Sequence, residues 1–322
     1  MLVLCHIREL SAQIADVYSK ITKFSDITVA NHTATGKVND AHICIMTMGG
    51  LKNALNSRSK VLDLSHLKVV VIDEVDFFFR NEQDRKALFD INNKHFAKQL
   101  PKLQWLLFSA TYPEDVTVTI DEFCKDAYQI ALKNEKLQLD HIDHYEHRCE
   151  PKKKIDFIMK VFNELSLTQS IIFVNTKKFC ETVMSVLRKN GYKATIMFGD
   201  MSNEERDEMM AKFRSGEVNV IVTTNLLARG IDVPEIEIVI NFDVPFLIPS
   251  NGEKQGDAEN YMHRIGRTGR FGTRGMAVSI YDRDEDKKHL DQIMAHYSMQ
   301  DKLKKLECPE QLKELYEKLH QL

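Results

Sequence analysis

The stretch "VVVIDEVDFFF", Val69 to Phe79, runs apolar for four residues, breaks into acids and resumes as three aromatics. Val69 to Ile72 are β-branched throughout with no polar alternation, which predicts a central parallel strand covered on both faces. The carboxyl end of such a strand is where open α/β sheets place their ligands. An Asp followed by a Glu there has the chemistry to hold a phosphate-bound Mg²⁺ and to polarise an attacking water. On this stretch alone, two solvated acids at a strand end read equally well. The usual companion of a nucleotide site, a G-x-x-x-x-G-K-[ST] phosphate loop, is absent from the sequence. The nearest pair, Gly36-Lys37, has Asn31 where the first glycine belongs and Val38 where the hydroxyl belongs.

Working outward, similar apolar runs recur: "MLVLC" (1–5), "AHICIMT" (41–47), "LQWLLFSAT" (103–111), "SIIFVNT" (170–176), "KATIMFGD" (193–200), "VNVIVTTN" (218–225), "IEIVINFDV" (236–244) and "GMAVSIYD" (275–282). Between them lie amphipathic segments such as Lys178–Asn190, where Phe179, Val183, Val186 and Leu187 repeat at helical spacing. The alternation predicts parallel α/β layers. The polar stretch from Leu132 to Lys154 carries charge without a sustained apolar face and places a domain boundary near Leu139, giving domains 1–138 and 139–322. The second half has five apolar runs of its own. The first opens on "MLVLC", a strand expected to lack both a neighbouring strand and a covering helix, as nothing precedes it. The closing "LKKLECPEQLKELYEKLHQL" is expected to be a charged amphipathic helix interrupted near Pro309.

Composition narrows the class. With 322 residues, 28% charged, 43% hydrophobic and a net charge of −3, the chain is globular and not a histone-like or tail-driven nucleic-acid binder. Any RNA contact must then be a local, placed one. Cys5, Cys44, Cys124, Cys149, Cys180 and Cys308 form no C-x-x-C pair, which argues against a zinc site and a disulfide framework and for a reducing compartment. No apolar run approaches the roughly 20 residues of a membrane span, so no membrane insertion is expected.

Three further motifs bear on function. Ser109-Ala110-Thr111 closes a strand with small hydroxyl residues, which by themselves read most simply as structural. "HRIGRTGRFG", 263–272, interleaves three arginines with Gly266 and Gly269. Arginines so placed can reach a γ phosphate, the alternative being a basic RNA-facing loop. "TTNLLARGID", 223–232, ends a strand in hydroxyls suited to a phosphate and sets Asp232 where a ribose hydroxyl could be bound.

Together "VIDEVD", "FSAT", "IIFVNT", "TTNLLARGID" and "HRIGRTGR", in this order and spacing, resemble the successive motifs of a DEAD-box ATP-dependent RNA helicase, over essentially the whole chain. Within that family "SIIFVNTKK", the stretch 199–245 and the polar insertion "IPSNGEKQGDAEN" before Tyr261 most resemble the nuclear-pore mRNA-export subgroup, with the translation-initiation helicases the near alternative. The resemblance implies an α/β fold of two RecA-like parallel-sheet domains in tandem, the first lacking its opening strand, phosphate loop and helix. It implies ATP and Mg²⁺ as cofactors, with Asp73 on the metal and Glu74 on the attacking water. Asp76, Ser109, Thr111 and His263 would couple the nucleotide state to closure. Gly230 and Asp232 would lie by the nucleotide, with Arg267 and Arg270 at the γ phosphate. RNA-binding residues would be Arg8, Thr47, Gly49, Gly50, Arg206 and Thr223, touching phosphates and 2′-hydroxyls of single-stranded RNA without reading bases. A nuclear-pore-bound activator with inositol hexakisphosphate, a monomeric chain, and a cytoplasmic and nuclear location complete the implied picture.

Departures accompany the match. Val75 stands where the family has Ala, "CHIREL" replaces a Pro-Thr or Pro-Ser start, Met48 replaces a turn proline and Phe198 a histidine. The adenine-reading glutamine motif and the phosphate loop are missing. The expectation is therefore a helicase whose upstream in-frame sequence encodes that loop. The competing expectation is a non-catalytic RNA- or partner-binding protein, and a related DNA helicase fits the motifs less well.

Overall fold

The computed structural model describes residues 1–32, 41–56, 62–97, 102–130, 141–165, 169–199, 201–225, 236–249, 252–269 and 273–320. The chain divides after Ile130 into two compact units. The boundary expected at Leu139 falls in 131–140, outside the described residues.

The first unit is a five-stranded sheet in the order β2-β3-β1-β4-β5, every pairing parallel. Its strands are β1 (Leu2–Cys5), β2 (Val29–His32), β3 (Ile43–Thr47), β4 (Val69–Asp73) and β5 (Gln104–Phe108). Helices α1 (Arg8–Ile21), α2 (Met48–Asn56), α3 (Val75–Arg80), α4 (Glu82–Ile91) and α5 (Glu114–Phe123) alternate with them. Val70, Val71 and Ile72 are buried, as the β-branched run required. Two apolar clusters pack the two sides of the sheet: Leu2, Leu4, Met46, Val70, Ile72, Phe78 and Phe79 in one, Val3, Cys5, Ile45 and Val71 in the other. The split follows the two-residue period of strand side chains. The expectation that β1 lacks a neighbour is corrected. It pairs with β3 on one side and β4 on the other, because strands adjacent in a parallel sheet need not be consecutive in sequence.

The second unit is a seven-stranded, all-parallel sheet in the order β14-β6-β13-β10-β7-β9-β8. Its strands are β6 (Ile142–Arg148), β7 (Ser170–Phe173), β8 (Ala194–Met197), β9 (Val220–Thr223), β10 (Ile238–Asn241), β13 (Gly275–Tyr281) and β14 (Leu303–Lys305). A separate antiparallel hairpin joins β11 (Phe246–Leu247) to β12 (Gln255–Gly256). The helices are α6 (Lys154–Glu164), α7 (Lys177–Lys189), α8 (Asn203–Arg214), α9 (Ala258–Ile265), α10 (Asp284–His296) and α11 (Glu310–His320). Every residue of β7, β9, β10 and β13 is buried. The "IPSNGEKQGDAEN" insertion contributes β12, and its Gly256 packs so closely on α10 that a Cβ there would lie 2.2 Å from the His289 carbonyl oxygen.

Three elements depart from the sequence reading. Ile142–Arg148, within the stretch read as polar linker, is strand β6. Leu303–Lys305, read as the start of a terminal helix, is strand β14, and only Glu310–His320 is helical. Phe179, counted on the apolar face of its helix, is half exposed against Phe242, while Cys180, Val183 and Leu187 do the packing. All six cysteines are free, and no helix among the described residues is long and apolar enough to cross a membrane.

Candidate functional site

Parallel registry brings the expected residues of the first unit into one row. Cys5 lies beside Thr47, Leu4 beside Ile72, and Asp73 beside Phe108, so the carboxyl ends of four strands share one edge of the sheet. Arg8, Gly49 with Gly50, Glu74 with Asp76, and Ser109 with Thr111 each follow one of those ends.

The turn after β4 is the most constrained part of that row. Glu74 adopts φ 56° and ψ 51°, a left-handed conformation that costs a residue with a Cβ about 1–2 kcal/mol. The turn is braced by Asp73, whose Oδ1 accepts the Glu74 N–H at 3.0 Å. It delivers the chain directly into α3, where Val75, Phe78 and Phe79 enter the core and Phe79 meets Phe123 at 5.6 Å. That settles the three aromatics: two are core, and Phe77 instead packs against His6 with the rings tilted and their centres 4.7 Å apart. His6 thus fills the place of the expected hydroxyl residue with a ring contact. Val75 is fully buried in the apolar cluster, so its extra methyl groups are accommodated.

Asp76 is fully buried, and its carboxylate receives the Ser109 hydroxyl at 2.6 Å on Oδ1 and the Thr111 hydroxyl at 3.4 Å on Oδ2. The Thr111 N–H in turn donates to Ser109 Oγ at 3.3 Å. The triplet at the end of β5 is therefore tied to the acidic motif. Burial raises the pKa of Asp73, the Asp76 carboxylate adds to the rise, and the Glu74 N–H opposes it. A divalent cation on a nucleotide's phosphates would offset that desolvation, so the donor set fits Mg²⁺ at Asp73 with Glu74 beside it. The phosphates themselves would find no loop lysine in this sequence.

Thr47 ends β3 and its Oγ1 accepts the Gly50 N–H at 3.3 Å, capping α2. A Cβ at Gly50 would meet the His32 carbonyl oxygen at 3.2 Å, which accounts for a glycine in this place. Arg8 opens α1, and its Nη1 is buried without a hydrogen-bond partner among the described residues.

In the second unit the row is Met197, Thr223, Phe173, Asn241 and Ser279. Thr223, which the resemblance assigns to RNA, is fully buried, and its Oγ1 donates to the Met197 carbonyl at 2.7 Å. Arg206 lies in the first turn of α8, which is held by a capping box in which Ser202 Oγ accepts the Glu205 N–H at 3.2 Å and Glu205 Oε2 accepts the Ser202 N–H at 2.7 Å. His263 and Arg267 are buried, with Arg267 Nε donating to the His263 carbonyl at 3.1 Å. Gly230, Asp232 and Arg270 lie outside the described residues. The residue missed from sequence is Arg264, counted among three arginines but given no role. It is fully buried on α9.

Comparison with known proteins settles the family. Residues 1–119 match the DEAD/DEAH box helicase family and residues 153–272 the helicase conserved C-terminal domain. The ATP-dependent RNA helicase FAL1 of Eremothecium gossypii is 33% identical over 92% of this chain, which spans 73% of that protein. The chain belongs to the DEAD-box helicases. Its two parallel-sheet units are accordingly RecA-like domains in tandem. The ATP-dependent RNA helicase dbp-5 of Neurospora crassa is 34% identical over 92% of the chain, but the chain spans only 61% of that relative's length. Among solved structures, S. cerevisiae Dbp5 bound to RNA and ADP BeF3 superposes with a TM-score of 0.88 at 28% identity, over 99% of this chain and 80% of that one. A complex of S. cerevisiae Dbp5 L327V with Gle1 H337R and IP6 gives 0.79 at 29% identity over 100% of this chain and 80% of that one.

Proposed function

We propose that this DEAD-box chain is the RNA-engaging and water-activating part of an ATP-dependent RNA helicase that remodels RNA or RNA–protein complexes, acting in mRNA export. The observation that carries the reading is the Asp76 carboxylate held by Ser109 and Thr111 at the end of the acidic strand. That contact ties the turn bearing Asp73 and Glu74 to the next strand of the sheet, so a change at the nucleotide is felt one strand away. Asp73 holds Mg²⁺, which when bound to a nucleotide neutralises phosphate charge. Glu74 orients the attacking water, and Arg267 and Arg270 supply charge to the γ phosphate. Arg8, with a buried guanidinium nitrogen lacking a partner among the described residues, and the capped start of α2 are suited to RNA phosphates.

Relatives' partners support the setting. Dbp5 has been solved with Nup159, Gle1 and IP6 as well as with RNA, and by likeness a nuclear-pore-bound activator with inositol hexakisphosphate is the partner proposed here, with a cytoplasmic and nuclear-pore location and a monomeric chain. A second reading, a non-catalytic RNA-binding protein, is favoured by one fact: the 322 residues contain no phosphate loop.

RNA-binding and phosphate-release assays on the purified 322-residue chain separate these readings. The expected result is salt-dependent, sequence-independent binding of single-stranded RNA without RNA-stimulated ATP hydrolysis, because losing phosphate positioning removes several kcal/mol of barrier reduction. Joining a G-x-x-x-x-G-K-[ST] strand and loop ahead of Met1 should restore hydrolysis that Glu74→Gln abolishes. Hydrolysis that stays absent in the joined protein, with RNA binding intact, selects the non-catalytic reading. No RNA binding at all rejects both.

A further inference from the structure

We propose that Arg264 is a positioning residue that locks the carboxyl ends of β7, β9 and β10 into one RNA-facing edge and so sets the RNA affinity of the second unit. The inference rests on the RNA-binding reading above and concerns a residue to which that reading gives no part.

Every N–H of the Arg264 guanidinium is engaged. Nε donates to Asn225 Oδ1 at 3.0 Å, Nη2 to the same oxygen at 2.6 Å and to Asn175 Oδ1 at 3.1 Å, and Nη1 to the Asp243 carbonyl at 2.9 Å and to Asn241 Oδ1 at 3.4 Å. The guanidinium carbon lies 5.1 Å from the centre of the Phe173 ring. Asn241 is the last residue of β10, and Asn175 and Asn225 each follow by two residues the ends of β7 and β9. These are three adjacent strands of the sheet. The asparagines pass the grip on: Asn175 Nδ2 donates to the Val244 carbonyl at 3.1 Å and Asn241 Nδ2 to Ser279 Oγ at 3.2 Å.

The choice of acceptors argues for positioning over simple stability. A buried charge is costly, and an apolar side chain of similar volume would pack this place at lower cost. Here the five hydrogen bonds end on neutral amide and carbonyl oxygens, and burial pulls the guanidinium pKa down to about 10 while Asp243 and Asp257 oppose the fall. The group stays charged at neutral pH. What five directional donors in a rigid fork supply is registry among three chain segments. One of those segments carries the RNA reading: 223–225 is the "TTN" motif, whose Thr223 the resemblance assigns to RNA, and 174–176 on the neighbouring strand leads into the Thr176 cap of α7.

The test uses the full chain with Arg264→Lys, which keeps the charge but offers three donors without the fork, and Asn225→Ala, which removes two of the five bonds without touching charge. Binding of a fluorescein-labelled single-stranded oligouridylate is measured against salt, together with backbone hydrogen exchange. Each variant should bind about tenfold or more weakly, and the double variant no worse than the weaker single, since both cut one network. The slope of log affinity on log salt should not change, because Arg264 is buried and neutralises no phosphate. Exchange should quicken at 174–176 and 223–225 while Gly275–Tyr281 stays protected. Affinity within twofold of the parent overturns the proposal, as does a slope lowered by about 0.7, which marks a direct phosphate contact. A parent chain that binds no RNA defeats the functional reading alone, and exchange then decides: quickening confined to the two segments upholds positioning, and unchanged or uniformly quickened exchange overturns it.

Discussion

The two sheets treat their edges differently. In the second unit β8 buries Ala194, Thr195 and Met197 although it is an edge strand, and the opposite edge, β14, presents Lys304 and Lys305, the former paired with Asp143. Short strands and edge lysines are standard protection against pairing with another chain. In the first unit β5 has a strand on one side only among the described residues, its Trp105, Leu106 and Leu107 are half-buried, and Phe108 is 54% exposed. One sheet buries or charges its edge strands, and the other offers an apolar edge strand paired on one side only among the described residues. The same parallel architecture therefore yields two units of unequal self-sufficiency.

That inequality can be broken most directly by cutting the chain. Residues 141–322 should melt cooperatively on their own, whereas 1–130 should aggregate. A sharp, reversible melt of 1–130 alongside an unfolded second fragment, followed by circular dichroism, would reverse the comparison.

A smaller effect tests how far the first unit depends on its buried acid. Asp76→Ala in the full chain leaves the Ser109 and Thr111 hydroxyls without their acceptor and should cost about 1–3 kcal/mol by denaturant titration, with the loss confined to the first unit's transition. A matching loss in the second unit's transition would show that the units do not melt separately.

The smallest effect has the opposite sign. Asp73 has a folded-state pKa raised chiefly by burial. A raised carboxyl contributes stability that is full below its unfolded value and lost as pH climbs through the folded one. Asp73→Asn should therefore raise the melting temperature at pH 7, and the gain should vanish as pH falls below the ordinary aspartate range. A gain of the same size at every pH would mean that ionisation is not the cause.

Sequence legibility followed the source of burial. Runs such as "VVVID" and "IEIVINFDV" announce themselves because both faces of the strand are apolar. Ile142–Arg148 did not, because its polar residues are satisfied by partners far along the chain: His144 by Tyr261 at 3.3 Å, His147 by the Leu306 carbonyl at 2.8 Å, and Glu146 by Lys287. No local pattern carries that information. The acidic motif and its hydroxyl triplet were legible as motifs, whereas their direct contact was not. Arg264 was visible as a letter, but its function depends on three asparagines up to 89 positions away.

The pairing of β6 also has a consequence for how the protein is made. Between Arg148, the end of β6, and Gly275, the start of its neighbour β13, lie 126 residues (149–274), and β14 on its other flank comes later still. At roughly 5–20 residues per second, a ribosome needs about 6–25 s to deliver that neighbour. Throughout that interval β6 has neither flanking strand. The second unit, the more self-sufficient once finished, is thus the slower to close during synthesis, and its nascent form is where a chaperone has the longest opportunity to bind.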